Sequence, residues 1–198
     1  MNVDGLRERK KHQTRIALKQ AALDLFEQRG YDEVTVEEIA EAAMVSPRTF
    51  FRYFETKAEV VFAYSPELIG RVDEEIATGA PVLESVRRGF LDGADFVHRN
   101  RELFVQQAKF VGHPRISGHR LELTARLGET ILKGLRRDYP GATETSRRLA
   151  ATLLAAVYPA GLREWLDSDD GSDAREIFGR AFDTAERAVA VLLQPGRE

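Results

Sequence analysis

Residues 35 to 57 constrain the fold of this chain most, because they encode two short helices joined by a very tight turn. Thr35 and Glu38 form a capping box that starts the first helix. Ser46 offers an N-cap hydroxyl for the second helix, and Pro47 stands at its first helical position. Helices joined so closely must cross at a steep angle, so we predict a helix-turn-helix.

The second of these helices has two different faces. Phe50 and Phe54 are one helical turn apart and should face the core. The remaining side chains are left on the other face, namely Arg48, Thr49, Phe51, Arg52 and Tyr53. That face combines cations, a hydroxyl and aromatic rings, a combination that suits a nucleic-acid groove.

Composition and charge narrow the class of protein. The 198 residues include no cysteine, which excludes disulfides and thiolate metal sites. No stretch approaches the roughly 20 apolar residues of a membrane span, and the polar N-terminus is unlike a signal peptide. We therefore expect a soluble, cytoplasmic protein.

The net charge of −3 hides an uneven distribution. Basic residues crowd the first helix, at Arg7, Arg9, Lys10, Lys11, Arg15 and Lys19. Acidic clusters lie elsewhere, at 73–75 and 167–173. A basic arm on an acidic body fits a protein that contacts DNA with one end only. The alternative is that this charged helix is an ordinary solvated face.

The apolar pattern is helical almost throughout, so the expected fold class is all-α. Gly30 should end the first helix, and Thr56 with Glu59 should form a capping box that opens a fourth helix. Pro66 should interrupt that fourth helix with a kink or a restart, in which Ser65 is the N-cap and Pro66 the first helical residue. Further helices are expected over about 81–99, 101–111, 143–166 and 173–193. A long helix is also expected from the break at 112–114 to 138.

The last two helices should pack antiparallel, because the linker 167–173 between them is short and polar. The domain boundary is expected near Lys57. It divides a helix-turn-helix DNA-binding domain, 1–57, from a helical domain for ligand binding and dimerisation, 58–198.

Residues 10 to 60 resemble the TetR family of bacterial transcriptional regulators. The resemblance rests on one ordered set of positions: Thr14, Leu18, Ala21, Ala22, Leu25, Phe26, Gly30, Tyr31, Thr35, Val36, Ile39, Ala40, Ala43, Val45, Ser46, Thr49, Tyr53, Phe54 and Lys57. It implies an all-α homodimer whose N-terminal head binds operator DNA and whose C-terminal bundle binds a small molecule. Two positions depart from the pattern, since Met44 stands where glycine is usual and Phe51 where tyrosine is frequent.

The resemblance also implies which residues meet DNA. Arg48, Thr49, Phe51 and Tyr53 match recognition-helix positions, while Thr35 and Lys57 match positions that meet phosphates. With the residues around them, the predicted DNA-binding set is Thr35, Ser46, Pro47, Arg48, Thr49, Phe51, Arg52, Tyr53 and Lys57.

Each of the main contacts has an alternative. Arg48 can bond guanine O6 and N7 together, or it can contact a phosphate. Phe51 can press on a thymine methyl or cover the head's surface, and Tyr53 can donate to a phosphate or cap the core. Lys57 lies where a helix should begin, so a phosphate there would meet both the ammonium and the helix N-terminus. Otherwise it is a surface lysine.

The rest of the chain offers weaker indications of a ligand. Aromatic and polar residues could line an apolar pocket or meet an anionic effector, namely Phe62, Phe96, Phe104, Phe110, His113, Arg120, Tyr158 and Trp165. Aromatic residues at helical spacing are also typical of plain core. The spacings of His98, His113, His119 and Glu122 match no compact metal motif, so no metal and no cofactor are expected.

No P-loop, Gly-x-Ser-x-Gly or His-Glu-x-x-His motif occurs, so we do not expect an enzyme. The last two helices carry more apolar surface than one antiparallel contact needs, which predicts a four-helix dimer interface. The residues predicted for that interface are Leu149, Leu153, Leu154, Val157, Val189, Leu192 and Leu193.

The predicted function is a homodimeric, ligand-responsive regulator of transcription. It is expected to act as a repressor on a near-palindromic DNA operator and to be released by a small-molecule effector. The alternative is a helical bundle that carries a small molecule or lipid and whose head docks another protein.

Overall fold

The structure is a computed structural model that describes residues 3–62, 65–168 and 171–195, and every regular element within them is helical. The helices are α1 (Val3–Arg29), α2 (Val36–Ala42), α3 (Pro47–Tyr53), α4 (Ser65–Ala77), α5 (Val82–Arg99), α6 (Arg101–Ala108), α7 (Pro114–Asp138), α8 (Glu144–Leu166) and α9 (Ala174–Leu192). A short 3-10 helix spans Glu59–Phe62. Along these segments, no helix is long and apolar enough to cross a membrane. The predicted all-α class is confirmed.

The chain divides into two compact units. The first, here called the head unit, combines Met1–Tyr64 with Val105–Arg120. The second, the body unit, combines Ser65–Phe104 with Leu121–Glu198. Residues 105–120 are therefore a part of the head unit that the sequence did not predict, while the functional division proposed at Lys57 stays a prediction.

The capping signals of the helix-turn-helix are confirmed. Thr35 Oγ1 accepts the Glu38 N–H at 3.2 Å, and the Glu38 carboxylate accepts the Thr35 N–H at 2.8 Å. Ser46 Oγ accepts the Thr49 N–H at 3.1 Å, and Pro47 is the first residue of α3. Local side-chain chemistry is therefore sufficient to start both helices of the motif.

The first part of the predicted fourth helix is not α-helical. Thr56 Oγ1 does accept the Glu59 N–H at 3.2 Å, but the Glu59 carboxylate accepts the N–H of Glu55 at 2.5 Å. The capping box is thus incomplete, and only the 3-10 helix Glu59–Phe62 follows it. An α-helix begins at Ser65, because Pro66 lacks an N–H and cannot continue a helix from the preceding turn.

Buried side chains of α1, α2 and α3 form the head core with the 3-10 helix and the start of α7. They include Leu18, Leu23, Phe26, Ile39, Phe50, Phe54, Val60 and Ile116. The Phe26 ring lies 5.0 Å from the Tyr31 ring and 5.7 Å from the Phe110 ring. The segment 105–120 therefore contributes to this core.

In the body unit, α9 packs against α8 and α5 around an aromatic core. The Tyr158 ring lies 5.9 Å from Phe90 and 5.3 Å from Phe178, and Phe182 lies 6.3 Å from Phe90. Gly161 lets α8 approach α9 closely, since a Cβ there would lie 3.2 Å from the Phe178 ring. Side-chain volume at this crossing is therefore tightly constrained.

Candidate nucleic-acid interface

Helix α3 presents the predicted cationic and aromatic face to solvent. Phe50 is 0% exposed and Phe54 is 2% exposed, so both anchor the helix in the head core. Phe51 is 55% exposed, and Arg48 and Arg52 are also exposed. Two guanidinium groups and a phenyl ring are thus available to a groove, with the helix held from behind by the two buried rings.

Two arginines contact the Tyr53 ring, one of which the sequence did not identify as a site residue. The Arg52 guanidinium carbon is 5.1 Å from the centroid of the Tyr53 ring. The Arg15 guanidinium carbon, from α1, is 5.9 Å from the same centroid and 6.0 Å from that of Phe54. The only sequence signal for Arg15 was its place in the basic first helix. The Tyr53 ring is held by these cation–π contacts at the edge of the α3 face.

The hydroxyls of the predicted set already form hydrogen bonds within the head. Ser46 Oγ and Thr49 Oγ1 lie 3.0 Å apart, in addition to the cap that Ser46 provides. Thr35 Oγ1 donates to Glu38 at 3.0 Å. Hydrogen bonds from Thr35 and from Arg29, 2.6 Å away, lower the Glu38 pKa to about 2. Any DNA contact by these hydroxyls must therefore be shared with a helix cap.

The position of Lys57 differs from the one that its predicted phosphate contact assumed. It precedes a 3-10 helix, and no α-helix begins there. Its ammonium donates to the carbonyl oxygens of Tyr31 at 2.5 Å and Val34 at 2.6 Å, and it lies 4.3 Å from the Tyr31 ring centroid. Desolvation in this setting lowers the Lys57 pKa. Lys57 holds the link between α1 and α2, so a phosphate would have to compete with backbone carbonyls for it.

The turn before α3 contains Met44 in the left-handed region, at a φ of 55°. A non-glycine residue is strained there because its Cβ crowds the backbone. The side chain is 92% exposed and so gains little from packing. The turn therefore accepts Met44 where glycine is usual in the family it resembles, and its backbone is strained at this residue.

The predicted ligand residues fall in both units. Phe62, Phe110, His113 and Arg120 belong to the head unit, where Phe62 is buried and Arg120 is exposed. The other four predicted residues are brought together within one cluster of the body unit, namely Phe96, Phe104, Tyr158 and Trp165.

Within that body cluster, Phe104 and Trp165 are buried and Phe96 is partly buried. The Phe96 and Phe104 rings are 6.0 Å apart, and Trp165 Nε1 donates to the Ser172 carbonyl at 3.1 Å. Burial raises the pKa of the Tyr158 phenol above its usual value. The cluster therefore forms an apolar core whose tryptophan already has its polar partner.

The histidines considered for a metal site do not converge. Each contacts a different aromatic ring, His98 that of Trp165, His113 that of Tyr31 and His119 that of Phe62. Across 3–62, 65–168 and 171–195, no group of three potential ligands is placed to hold a metal ion.

The predicted dimer residues divide into two sets. Leu154, Val157, Val189 and Leu193 are buried within the chain, so they pack in the body core and offer little surface to a partner. Leu149 is 54% exposed and Leu153 is 38% exposed on α8. Leu192 is intermediate in exposure. On α9, Val191 is 69% exposed although it was not predicted. The available apolar surface is therefore smaller than the sequence suggested.

Comparison with known proteins places the helix-turn-helix in a family. The family described as bacterial regulatory proteins, tetR family, matches residues 18–64. The HTH-type transcriptional regulator TcmR of Streptomyces glaucescens is 43% identical over 112 residues, which are 48% of this chain and 48% of that protein. In this match the chain spans about half the length of its relative.

Two other similar proteins are matched over more of the chain. The transcriptional activator FasR of Mycolicibacterium smegmatis is 23% identical over 155 residues, or 75% of this chain and 70% of FasR. The solved structure of FadR from Thermus thermophilus, a TetR family transcriptional repressor in complex with lauroyl-CoA, is 26% identical. It covers 93% of this chain and 96% of the FadR chain, with a TM-score of 0.55.

Proposed function

Because residues 18–64 match the family of bacterial regulatory proteins, tetR family, we propose that this chain regulates transcription by binding double-stranded DNA through the exposed face of α3. It acts in the cytoplasm, on a near-palindromic operator, as a homodimer. It serves as a repressor that a small-molecule effector releases from DNA.

One observation carries the DNA-binding part of this proposal. Arg48, Phe51 and Arg52 are exposed on a short helix whose opposite side is fixed by Phe50 and Phe54. A rigid helix with cations and an apolar ring on its free face suits the major groove, where arginine reads guanine and apolar groups read the thymine methyl.

The residues divide into two roles. Arg48, in the first turn of α3, bonds a guanine edge, and Phe51 contacts a thymine methyl. Arg52 and Tyr53, near the end of α3, meet backbone phosphates, which position the helix without reading sequence.

The homodimer would place two copies of α3 in successive major grooves, about 34 to 36 Å apart. Its interface would use the exposed apolar residues of α8 and α9, of which Leu149, Leu153 and Val191 are the largest. Sedimentation of Leu149→Asp with Leu153→Asp tests this, and we expect monomers where the native chain forms dimers. Leu121→Asp, at a residue that is 66% exposed on α7, is the matched control and should sediment as the native chain does.

The effector would be an apolar small molecule bound in the body unit. The aromatic side chains Phe96, Phe104, Tyr158 and Trp165 support this, as does the apolar lauroyl chain of the lauroyl-CoA bound by FadR. Effector binding would weaken DNA binding by about 1 to 3 kcal/mol, the usual size of a coupling free energy. No catalytic step is proposed.

A duplex selected by the native chain from a random-sequence library tests the DNA-binding proposal. Arg48→Ala should weaken binding to this duplex by about 1 to 3 kcal/mol and relax the preference at one base pair. Arg52→Ala should weaken binding to all sequences and flatten the slope of log affinity against log salt by about 1.

Arg163→Ala is the matched control, since Arg163 is an exposed body arginine paired with Asp167 at 2.7 Å. It should leave affinity and salt slope unchanged. If Arg48→Ala and Arg52→Ala also leave duplex binding unchanged, the DNA-binding proposal is wrong. The carrier with a protein-docking head would then explain the chain better.

A further inference from the structure

Residues 105–120 connect the two units in an unusual way. They belong to the head unit, while the residues before and after them belong to the body unit. The segment contains the end of α6, the turn before α7 and the first residues of α7. The chain thus passes from the body unit into the head unit at Val105 and returns at Leu121. A displacement of α6 or α7 therefore reaches the head unit through residues 105–120.

A buried polar pair joins this segment to α1. Lys19 Nζ donates to Gln107 Oε1 at 2.5 Å. Lys19 is 0% exposed and Gln107 is 6% exposed. The two residues are 88 positions apart in sequence, so only the folded head brings them together.

More exposed polar pairs extend the same contact along α1. Gln106 accepts from Gln20 at 2.9 Å and donates to Asp24 at 3.0 Å. Lys109 donates to Glu27 at 2.5 Å. We call this set, from Lys19–Gln107 to Lys109–Glu27, the α1 seam. Most of its contacts are hydrogen bonds that water can replace, unlike the ring contacts of the body core.

A buried lysine makes a permanent contact unfavourable, because its ammonium loses its hydration. Desolvation by burial lowers the Lys19 pKa to about 7, which shows how strongly the site disfavours the charged form. An apolar side chain of similar length would pack there without that cost. Opening the seam would return the ammonium to water, so the same residue that closes the seam also favours its release.

We propose that the Lys19–Gln107 hydrogen bond is a releasable latch, which holds residues 105–120 on α1 and whose opening alters DNA binding. Lys19 acts as a positioning residue through Gln107 and does not touch DNA. The effect on DNA rests on the proposed function, whereas the opening of the latch does not.

The structure provides a route from the latch to the DNA-binding face. Arg15 precedes Lys19 by one turn of α1, so the two side chains lie on the same side of the helix. The Arg15 guanidinium lies over the rings of Tyr53 and Phe54 at the end of α3. A small rotation of α1 when the seam opens therefore changes the support of Tyr53.

Hydrogen exchange of the backbone amides of residues 105–113 in the full chain, without DNA, tests the latch itself. In Lys19→Met with Gln107→Leu, the seam becomes apolar, and we expect these amides to exchange at least about tenfold more slowly. Gln107→Glu gives the Lys19 ammonium a carboxylate partner and should also slow exchange, which covers the case in which the apolar variant fails to fold.

Lys109→Met is the matched control, since the Lys109 side chain is 50% exposed and its pair is at the edge of the seam. It should change exchange by less than about threefold. If the variants at Lys19 and Gln107 exchange as fast as the native chain, the latch does not exist.

Adding DNA tests the coupling, because linkage is reciprocal. With the duplex that the native chain selects, exchange in residues 105–113 should change by about fivefold or more. In the apolar variant the same duplex should change exchange by less than about twofold. If the duplex binds and native exchange is unaffected, the coupling is wrong and the proposed function stands. If no duplex is selected, the coupling and the proposed function are both wrong.

Discussion

The cores of the head unit and the body unit both contain packed aromatic rings, but the head unit also buries a lysine. The head unit contains a buried lysine, Lys19, and a second lysine, Lys57, which holds backbone carbonyls. The core of the body unit is built from aromatic rings such as Phe178 and Phe182. Some of its ion pairs, such as Arg87–Asp183, lie at the surface.

This difference indicates which unit can respond to its surroundings. Hydrogen bonds to buried cations depend on pH and can be exchanged for water, whereas ring packing depends mainly on shape. We therefore expect the stability of the head unit to respond to pH through Lys19, and that of the body unit to respond mainly to changes of volume.

Removing a buried ring should have the largest effect on either unit. Phe50→Ala should lower the free energy of unfolding by roughly 3 to 5 kcal/mol, because it leaves a cavity under α3. Phe51→Ala, at the exposed neighbouring residue, should cost less than about 1 kcal/mol and weaken DNA binding instead. Chemical denaturation measures the first effect and duplex titration the second. Equal losses of stability would contradict the assignment of the two faces.

The second-largest effect should be a pH dependence of stability that comes from the head unit and not from the body unit. The folded-state pKa of Lys19 is lowered from 10.5 to about 7. Between those values the unfolded state binds more protons, so the free energy of unfolding should rise with pH from about 7 to 10.5. Below about pH 7 the full penalty, on the order of 3 to 5 kcal/mol, is present.

Chemical denaturation across this pH range measures the contribution of Lys19. The rise in stability should be absent in Lys19→Met and unchanged in Phe178→Ala, whose lost ring belongs to the body core. A slope that persists in Lys19→Met would assign the pH dependence to another group.

Lys57 should contribute an intermediate amount. Lys57→Met keeps the apolar stem but leaves the Tyr31 and Val34 carbonyls without their donor, at a cost of about 1 to 3 kcal/mol. Lys10→Met, at an exposed lysine of α1, should cost much less. Thermal unfolding measures both. If Lys57→Met is as stable as the native chain and flattens the salt slope of DNA binding by about 1, Lys57 contacts phosphate as the sequence predicted.

The smallest effect should be a gain. Met44→Gly relieves the left-handed strain at φ 55°, while the flexible unfolded chain offsets part of that relief. We expect about 0.5 kcal/mol of added stability, a rise of about 1 to 2 °C in Tm. Met44→Ala keeps the Cβ and should show no gain. An equal rise for both variants would assign the effect to the loss of an exposed apolar side chain.

The sequence alone determined the local architecture of the helix-turn-helix and of the end of α1. The caps at Thr35 and Ser46, the end of α1 at Gly30 and the outward face of α3 all depend on residues within one or two turns of each other. Such signals act through backbone N–H groups and helical spacing, so they can be read before the fold is known.

Only the tertiary structure decided the contacts between distant segments. Lys57 meets the Tyr31 carbonyl 26 residues away, and Lys19 meets Gln107 88 residues away. The same holds for the inclusion of residues 105–120 in the head unit and for the burial of Leu154, which the sequence had assigned to an interface. A hydrogen-bond partner or an exposed face depends on which segments meet, and helical periodicity shows only that a face is apolar.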